Sequence, residues 1–234
     1  MSVTDHTYAS AIVGAQKTHK RKAADFYPSP PDVTVALMDF LKLNEDTLIW
    51  EPASGDGAMA RILERYVDDV TSTDLRIDSS IYGRGGVNFL DAEVAQDDGP
   101  DWIITNPPFN LSEGFIRKAL SITPNVAMLL KSQYWHAARR LSLFDECQPA
   151  YVLPLTWRPA FLEAERGSSP LMDVIWVVWK GPVNTTEFLP LKRPRGVTPL
   201  DPIVPAFDFD DILGEAMSTS STPCGTDHIF GDLL

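Results

Sequence analysis

The amino-acid sequence predicts an α/β fold with a mostly parallel sheet, helices on both faces and an antiparallel hairpin at one edge. Two observations support this prediction. Short apolar runs that end in polar residues alternate with segments whose apolar residues recur at helical spacing. The last two runs, residues 150–154 and 174–179, have no helix-length apolar pattern between them, so we expect them to pair antiparallel.

The order of these elements divides the chain into three parts. Residues 1–24 are polar and aperiodic and are expected to form a flexible arm. Residues 25–182 contain all the predicted strands and helices, beginning with a proline-rich segment in which Ser29 or Asp32 is expected to cap the first helix. Residues 183–234 form an acidic tail rich in Pro and Ser, which we expect to be flexible. The strands expected before the hairpin are residues 47–50, 70–73, 86–89 (a strand or a turn), 102–105 and 126–130, and a helix is expected over 134–147.

Length and composition exclude several classes of protein. A chain of 234 residues suits one α/β domain with modest additions. No apolar run approaches the ~18–20 residues that cross a bilayer, and the amino terminus does not have the pattern of a signal peptide. Cys147 and Cys224 lie far apart, so we expect no structural disulfide and a cytoplasmic location. The four histidines show no metal-ligand spacing, and no metal is expected.

The formal net charge of −12 is unevenly distributed. Residues 196–234 contain seven acidic residues and no Lys or Arg. Two basic clusters lie elsewhere, one over residues 17–22 and one formed by Lys192, Arg193 and Arg195. Either cluster suits contact with a polyanion, and the alternative is a solvated arm and a linker.

Polar side chains stand where the first, second and fourth predicted strands end and just beyond the third. They are Glu51, Asp74, Asp91 and Asn106. The carboxyl edge of an open α/β sheet is where such folds bind ligands. Glu51 opens the turn Glu-Pro-Ala-Ser-Gly-Asp-Gly, whose glycines permit close ligand approach and whose carboxylates suit a ligand with ammonium or hydroxyl groups. A carboxylate at Asp74 is placed to bind ribose hydroxyls, and Asp91 to accept from an adenine amino group.

The motif Asn106-Pro107-Pro108-Phe109 carries the most specific chemistry. Its prolines stiffen a ledge at the end of the fourth strand. The Asn106 side-chain carbonyl and a nearby backbone carbonyl can both accept from one NH2 group, while the Phe109 ring stacks on the planar system that bears it. This arrangement suits an enzyme that holds an amino or amide nitrogen during electrophilic attack.

Taken together, these motifs resemble the S-adenosylmethionine-dependent DNA adenine-N6 methyltransferases, most closely the small phage and prophage members. The resemblance covers roughly residues 25–180 and follows the family's γ order, with the cofactor loop before the Asn-Pro-Pro-Phe motif. It rests on Asp25-Phe-Tyr-Pro-Ser-Pro30, Glu51-Pro-Ala-Ser-Gly-Asp-Gly57, Asp74, Asn88-Phe-Leu-Asp91 and Thr105-Asn-Pro-Pro-Phe109.

The resemblance implies a Rossmann-like, seven-stranded methyltransferase sheet, S-adenosylmethionine as cofactor and DNA as partner. By the same resemblance, Asp74 binds the cofactor ribose and Asp91 its adenine, and the Asn-Pro-Pro-Phe motif holds the target base. The base must be flipped out of the duplex or single-stranded. The remaining cofactor-binding residues implied are Tyr27, Pro28, Glu51, Ala53, Gly55 and Gly57.

A basic and aromatic segment after the sixth predicted strand contains Trp157, Arg158 and Phe161. Similar methyltransferases carry such a segment near the flipped base, which implies that Arg158 contacts phosphate and that Trp157 or Phe161 wedges the base stack. The alternative is that both aromatic rings belong to the core.

The chain departs from site-specific members of this family because only residues 181–234 remain for a target-recognition domain. Specificity is therefore expected to be low or to depend on short loops. Two alternatives stay open. One is a methyltransferase for RNA adenine or a protein glutamine amide, and the other is a catalytically inactive binding protein whose acidic tail engages a protein partner or mimics DNA.

Overall fold

The computed structural model describes residues 28–95, 99–161 and 172–197. They form a seven-stranded sheet in the order β2-β1-β3-β4-β6-β5-β7. The strands are β1 Leu48–Glu51, β2 Asp69–Ser72, β3 Trp102–Thr105, β4 Asn125–Lys131, β5 Tyr151–Pro154, β6 Val174–Lys180 and β7 Glu187–Phe188. The helices are α1 Pro31–Leu41, α2 Ala60–Leu63, α3 Ser112–Ile122 and α4 Leu141–Glu146, with 3₁₀ turns at Phe89–Asp91, Ser132–Trp135 and Ala138–Arg140.

Six of the seven strands run in the same direction. β1 pairs in parallel with β2 and β3, β3 with β4, and β5 with β7. Only β6 is reversed, because it pairs antiparallel with both β4 and β5. The predicted antiparallel hairpin of β5 and β6 is confirmed, although β6 inserts between β4 and β5 and does not form the edge. The carboxyl ends of all six parallel strands therefore lie along one side of the sheet, here called the carboxyl edge.

Hydrophobic cores cover both faces of the sheet. α1 contributes Val33 and Leu37 to one core, and α3 contributes Phe115 and Ile116 to the other. The continuous apolar run of β6 supplies side chains to both cores, as expected for a strand buried on both faces. The indoles of Trp176 and Trp179 satisfy their N–H groups on backbone carbonyls, at 3.0 and 2.9 Å. Their predicted place in the sheet core is confirmed.

Of the two alternatives predicted near residues 86–89, a strand or a turn, the structure has the turn. That segment enters a 3₁₀ turn, in which Asn88 caps the turn by accepting from the Leu90 N–H. Beyond β2, the edge strand, the only β pairing in the described residues is a single parallel bridge between Thr73 and Arg84. Glycines around Arg84, two of them at positive φ, prevent a regular ladder from continuing.

The seventh strand lies beyond the predicted domain limit of residue 182. Glu187 and Phe188 pair with β5, and Leu191 is buried in the core beside α1. The predicted flexible tail over 183–234 is thus corrected at its start, because Glu187 and Phe188 pair with the sheet and Leu191 is buried in a core. Residues 1–24 and 198–234 lie outside the described ranges.

Two further local predictions are corrected. Residues 134–147 form 3₁₀ turns and the short α4 in place of one helix. α1 begins after Pro30 without a side-chain cap, so neither Ser29 nor Asp32 serves as one. Across the described ranges, none of the helices combines the length and apolarity that crossing a bilayer requires.

A candidate active site at the carboxyl edge

The loop after β1 is held against the end of β2 by backbone hydrogen bonds. Gly55 and Gly57 take positive φ values of 57° and 77°, which favour glycine. The Gly55 N–H donates to Asp74 Oδ2 at 2.8 Å, and the Ser54 N–H donates to the Thr73 carbonyl at 2.9 Å. The local sequence turns sharply here because two glycines fall where the strand ends, and the contacts with β2 then fix the shape of the loop.

Tyr82 packs on this glycine loop and was not anticipated from the sequence. Its N–H donates to the Gly55 carbonyl at 2.8 Å, and its carbonyl accepts from Ser54 Oγ at 2.7 Å. A Cβ added at Gly57 would lie 2.3 Å from the Tyr82 ring. The phenol donates to the Glu64 carboxylate at 2.8 Å, and burial together with that bond raises the pKa of Tyr82. No local pattern links Tyr82 to a loop 25 residues earlier, so sequence reasoning had no signal for it.

Glu51 is a buried carboxylate at the end of β1, only 2% exposed. Its Oε2 has no hydrogen-bond partner, although the Ala60 backbone donates to the carboxylate. Burial raises the pKa of Glu51 well above its usual range, and the charges of Asp56, Asp74 and Glu64 raise it further. The pKa of Asp56 is also raised, chiefly by burial. A buried acid without a counter-charge is suited to receive a cationic ligand group.

Asp74 and Asp91 occupy different environments. Asp74 is buried beside the glycine loop and accepts from Gly55 and from the Arg76 N–H and Nε, at 2.9 and 3.2 Å. Asp91 is exposed at the end of its 3₁₀ turn, where it accepts from Asn88 Nδ2. The structure therefore brings Asp74 into contact with the loop, whereas the hydrogen bond given for Asp91 lies within its own turn.

Asn106 directly follows β3, which lies between β1 and β4 in the sheet. It is half-buried, and its Nδ2 donates to Ser29 Oγ at 3.1 Å. Ser29 is 5% exposed, so the proline-rich segment before α1 packs directly against Asn106. Two motifs 77 residues apart in sequence thus meet at one site. Pro28 lies next to this contact in the chain, and Tyr27 lies outside the described residues.

The two prolines after Asn106 lead the chain into α3. Pro107 is buried, and the Pro108 carbonyl accepts from the Leu111 N–H at 2.8 Å. The ring of Phe109 is partly exposed, and Lys131 Nζ, at the end of β4, lies 4.3 Å from its centroid. Lys131 is a second residue that sequence reasoning missed, since only the strand order shows that β4 ends beside this motif.

The structure separates the three residues predicted after β5. Arg158 is exposed and pairs with Asp173 at 2.7 Å. Trp157 is half-buried against the core, and its Nε1 is buried without a hydrogen-bond partner. Phe161 is a core residue at 5% exposure, in agreement with the alternative that its ring belongs to the core.

The carboxyl edge is therefore polarised. Buried acids follow β1 and β2, a neutral amide follows β3, and cations follow β4 and β5. Such an edge can hold a cationic small molecule at one end and an anionic partner at the other, with an amide acceptor between them.

Comparison with solved structures identifies the fold. The methyltransferase subunit of a type I restriction-modification system from Streptococcus thermophilus matches with a TM-score of 0.53 and 13% identity, over 72% of this chain and 48% of that one. The modification subunit of a proposed type I restriction enzyme from Vibrio vulnificus matches with a TM-score of 0.53 and 12% identity, over 92% of this chain and 57% of that one. A proposed RNA methyltransferase from Pyrococcus horikoshii matches with a TM-score of 0.51 and 14% identity, over 79% of this chain and all (100%) of that one.

These matches establish a methyltransferase-type α/β fold, as predicted. Because the sequence identities are only 12–14%, they establish the fold and nothing about activity or substrate. The chain spans about half the length of the two restriction-system subunits, 48% and 57%. No protein-family model matches the chain, and no curated protein matches it significantly.

Proposed function

We propose that this protein transfers a methyl group from S-adenosylmethionine to the N6 amino group of adenine in DNA. The target base is flipped out of the duplex or single-stranded, and sequence specificity is low. The observation that carries this proposal is the position of Asn106 after β3, which lies between β1, the strand that leads into the acidic glycine loop, and β4, whose Lys131 lies over the Phe109 ring. We expect the reaction to take place in the cytoplasm.

The acidic half of the carboxyl edge fits the cofactor. S-adenosylmethionine carries an ammonium and a sulfonium, and Glu51 offers a buried carboxylate oxygen that has no partner. Ala53, Gly55 and Gly57 belong to the same turn, where the absence of a side chain at Gly55 permits close approach of the cofactor and the absence of one at Gly57 lets Tyr82 pack on the turn. Asp74 keeps lone pairs for ribose hydroxyls beyond those used by Gly55 and Arg76.

Three further contacts complete this cofactor site in the proposal. Asp91 meets the cofactor adenine, and Tyr27 and Pro28 close over the methionine end. When bound, the cofactor supplies an electrophilic methyl group.

The Asn-Pro-Pro-Phe motif activates the target nitrogen. An adenine N6 lone pair is delocalised into the ring and is a poor nucleophile. The Asn106 side-chain carbonyl and the Pro107 backbone carbonyl each accept a hydrogen bond from the target amino group. These bonds favour a pyramidal nitrogen and stabilise its developing positive charge. The Pro108 carbonyl already accepts from Leu111, so Pro107 is the proline that supplies the second acceptor. Acceptors fixed before reaction are worth roughly 10²–10³ in rate.

Stacking on Phe109 offsets part of the free energy of flipping the base, by about 1–3 kcal/mol. DNA is the preferred substrate because the proline-rich segment and a phenylalanine at position 109 both match the DNA-modifying pattern. The neighbouring folds include subunits of restriction systems as well as a proposed RNA enzyme, so RNA is included in the test.

The test is transfer of tritiated methyl groups from S-adenosylmethionine to unmethylated DNA, to RNA and to a glutamine-containing protein, followed by sequencing of the DNA for modified adenine. Asn106→Ala is expected to abolish transfer while cofactor affinity stays within a few-fold. The matched control is Asn44→Ala, an exposed asparagine before β1 at the opposite edge of the sheet. Label in RNA or protein but not in DNA would contradict the proposed substrate. Loss of cofactor binding in Asn106→Ala would contradict the assignment of Asn106 to the target base.

A further inference from the structure

A cation lies at or just after the carboxyl end of each of the parallel strands β4, β5 and β7. Lys131 is the last residue of β4, Arg158 comes four residues after β5, and Lys192 comes four residues after β7. Because these strands run in the same direction, the three cations reach the same carboxyl edge as Asn106. Chain order alone does not predict this, since 55 residues (132–186) lie between the end of β4 and the start of β7.

Backbone pairing joins the segment after β7 to the loop after β5. Leu155 forms a parallel bridge with Leu191, whose carbonyl accepts from the Thr156 N–H and hydroxyl at 3.1 and 2.9 Å. Arg158 and Lys192 therefore emerge from neighbouring backbone positions. Adjacent strands lie ~4.8 Å apart, so the row from β4 across β6 and β5 to β7 spans about 14 Å.

A side-chain contact ties the same segment to the start of α1. Arg193 Nε donates to Asp32 Oδ2 at 2.9 Å, and Asp32 lies three residues after Ser29, the partner of Asn106. The basic segment thus flanks the proline-rich segment that holds Asn106.

The local charge balance is positive. Asp173 neutralises Arg158 and Asp32 neutralises Arg193. Lys131, Lys192 and Arg195 make no ion pair with any residue in the described ranges. This local excess of positive charge stands on a chain whose formal net charge is −12.

We infer that Lys131, Arg158, Lys192, Arg193 and Arg195 form a basic track that binds the phosphodiester backbone of the nucleic-acid substrate beside the target base. The inference deepens the proposed function and rests on it for the class of partner. Cations spaced along a strand-end row suit consecutive phosphates, and phosphate contacts set register without reading sequence. Because the formal net charge of the chain is −12, a local band of cations also helps to orient a polyanionic substrate.

The experiment compares two double variants of the full-length chain that change net charge equally. Lys192→Gln with Arg195→Gln removes two track cations. Lys180→Gln with Arg65→Gln removes an exposed lysine and an exposed arginine near the amino ends of the strands. Fluorescence anisotropy measures binding of duplex DNA, single-stranded DNA and RNA of one sequence at several salt concentrations, without cofactor.

The track variant is expected to bind nucleic acid at least about tenfold more weakly at 0.1 M salt, and the slope of log K against log salt should become shallower by about 1.8 for duplex or about 1.4 for single strands. The control variant should retain wild-type affinity and slope. Among duplex DNA, single-stranded DNA and RNA, the nucleic acid whose affinity falls most in the track variant is the one whose phosphodiester backbone the track binds. Equal behaviour of the two variants, or unchanged binding by both, would overturn the inference.

This outcome is separable from that of the proposed function. Binding through the track without methyl transfer would refute the proposed chemistry and leave the track intact. Methyl transfer with an unchanged KM for DNA in the track variant would refute the track and leave the chemistry intact.

Discussion

At the scale of single residues, the contact between Ser29 and Asn106 organises the candidate site. The hydroxyl of Ser29 accepts a hydrogen bond from the amide nitrogen of Asn106, which fixes the orientation of the amide whose carbonyl accepts from the substrate in the proposed function. Ser29 is buried, so this hydrogen bond is shielded from water and holds the amide orientation.

We expect Ser29→Ala to lower kcat by about 10–10²-fold, because an unrestrained amide is misplaced relative to the target nitrogen. KM for DNA and cofactor affinity should change little, and Ser29→Thr should restore part of kcat. Steady-state kinetics with the exposed Ser121→Ala as control would measure this. A fall in cofactor affinity as large as the fall in kcat would argue for a general structural role.

The second residue-scale feature is the buried acid Glu51. Its folded-state pKa is raised above the ordinary value of 4.5 by burial. The stability that protonated Glu51 contributes is therefore fully present below the unfolded-state pKa and is lost as pH rises through the folded-state pKa.

Glu51→Gln should consequently be more stable than the wild type at pH 8, and the difference in Tm should shrink toward pH 4. Thermal unfolding across this range, with the exposed Glu45→Gln as control, would test it. A constant difference at all pH values would contradict the assignment of the cost to ionised Glu51.

Cofactor binding should show the reverse dependence on pH. A cationic ligand favours ionised Glu51, so wild-type affinity for S-adenosylmethionine should rise as pH passes through the raised pKa. Glu51→Gln should bind more weakly and without this rise. Isothermal titration at several pH values measures both, and a pH-dependent affinity that persists in the variant would place the titrating group elsewhere.

At the scale of elements, Tyr82 and the glycine loop form one unit. The ring of Tyr82 occupies the space that any side chain at Gly57 would need, while backbone bonds from Tyr82 and Ser54 close the loop against the end of β2. The shape of the cofactor loop therefore depends on a segment that follows β2 as well as on its own glycines.

Gly57→Ala should lower stability by about 1–3 kcal/mol and weaken cofactor binding, because positive φ strain adds to a clash with the Tyr82 ring. Gly181→Ala is the matched control, since Gly181 also has positive φ but meets no atom within 4 Å. It should show only the backbone cost of about 1–2 kcal/mol. Equal losses in the two variants would remove the clash from the explanation.

At the scale of the whole molecule, β7 extends the folded domain beyond residue 182. Leu191 is buried with α1 and Trp176, and the β7 backbone pairs with β5. Truncation after residue 182 is expected to lower Tm substantially, because it exposes β5 and removes Leu191 from the core. Truncation after residue 197 should leave Tm within a few degrees of the full chain. Equal stability of both truncations would show that β7 contributes nothing, and collapse of the longer one would place later residues in the core.

The amino-acid sequence by itself determined the α/β class, the polar strand ends and the antiparallel hairpin. These features follow from local pattern, since apolar runs, turn residues and strand-terminal acids are read within a few positions of each other. Local pattern left residues 86–89 open as a strand or a turn: Val87 and Phe89 look strand-like, whereas the glycines before them, two at positive φ, favour the turn that the structure has.

Only the tertiary structure decided which side chains meet. Ser29 reaches Asn106, Tyr82 fills the space beside Gly57, and Leu155 pairs with Leu191 over long sequence separations. Phe161 is buried although its neighbours Trp157 and Arg158 reach the surface to differing degrees. Such contacts depend on strand order and on which face of the sheet a segment covers, and a β-strand of four residues carries too little local information to specify either.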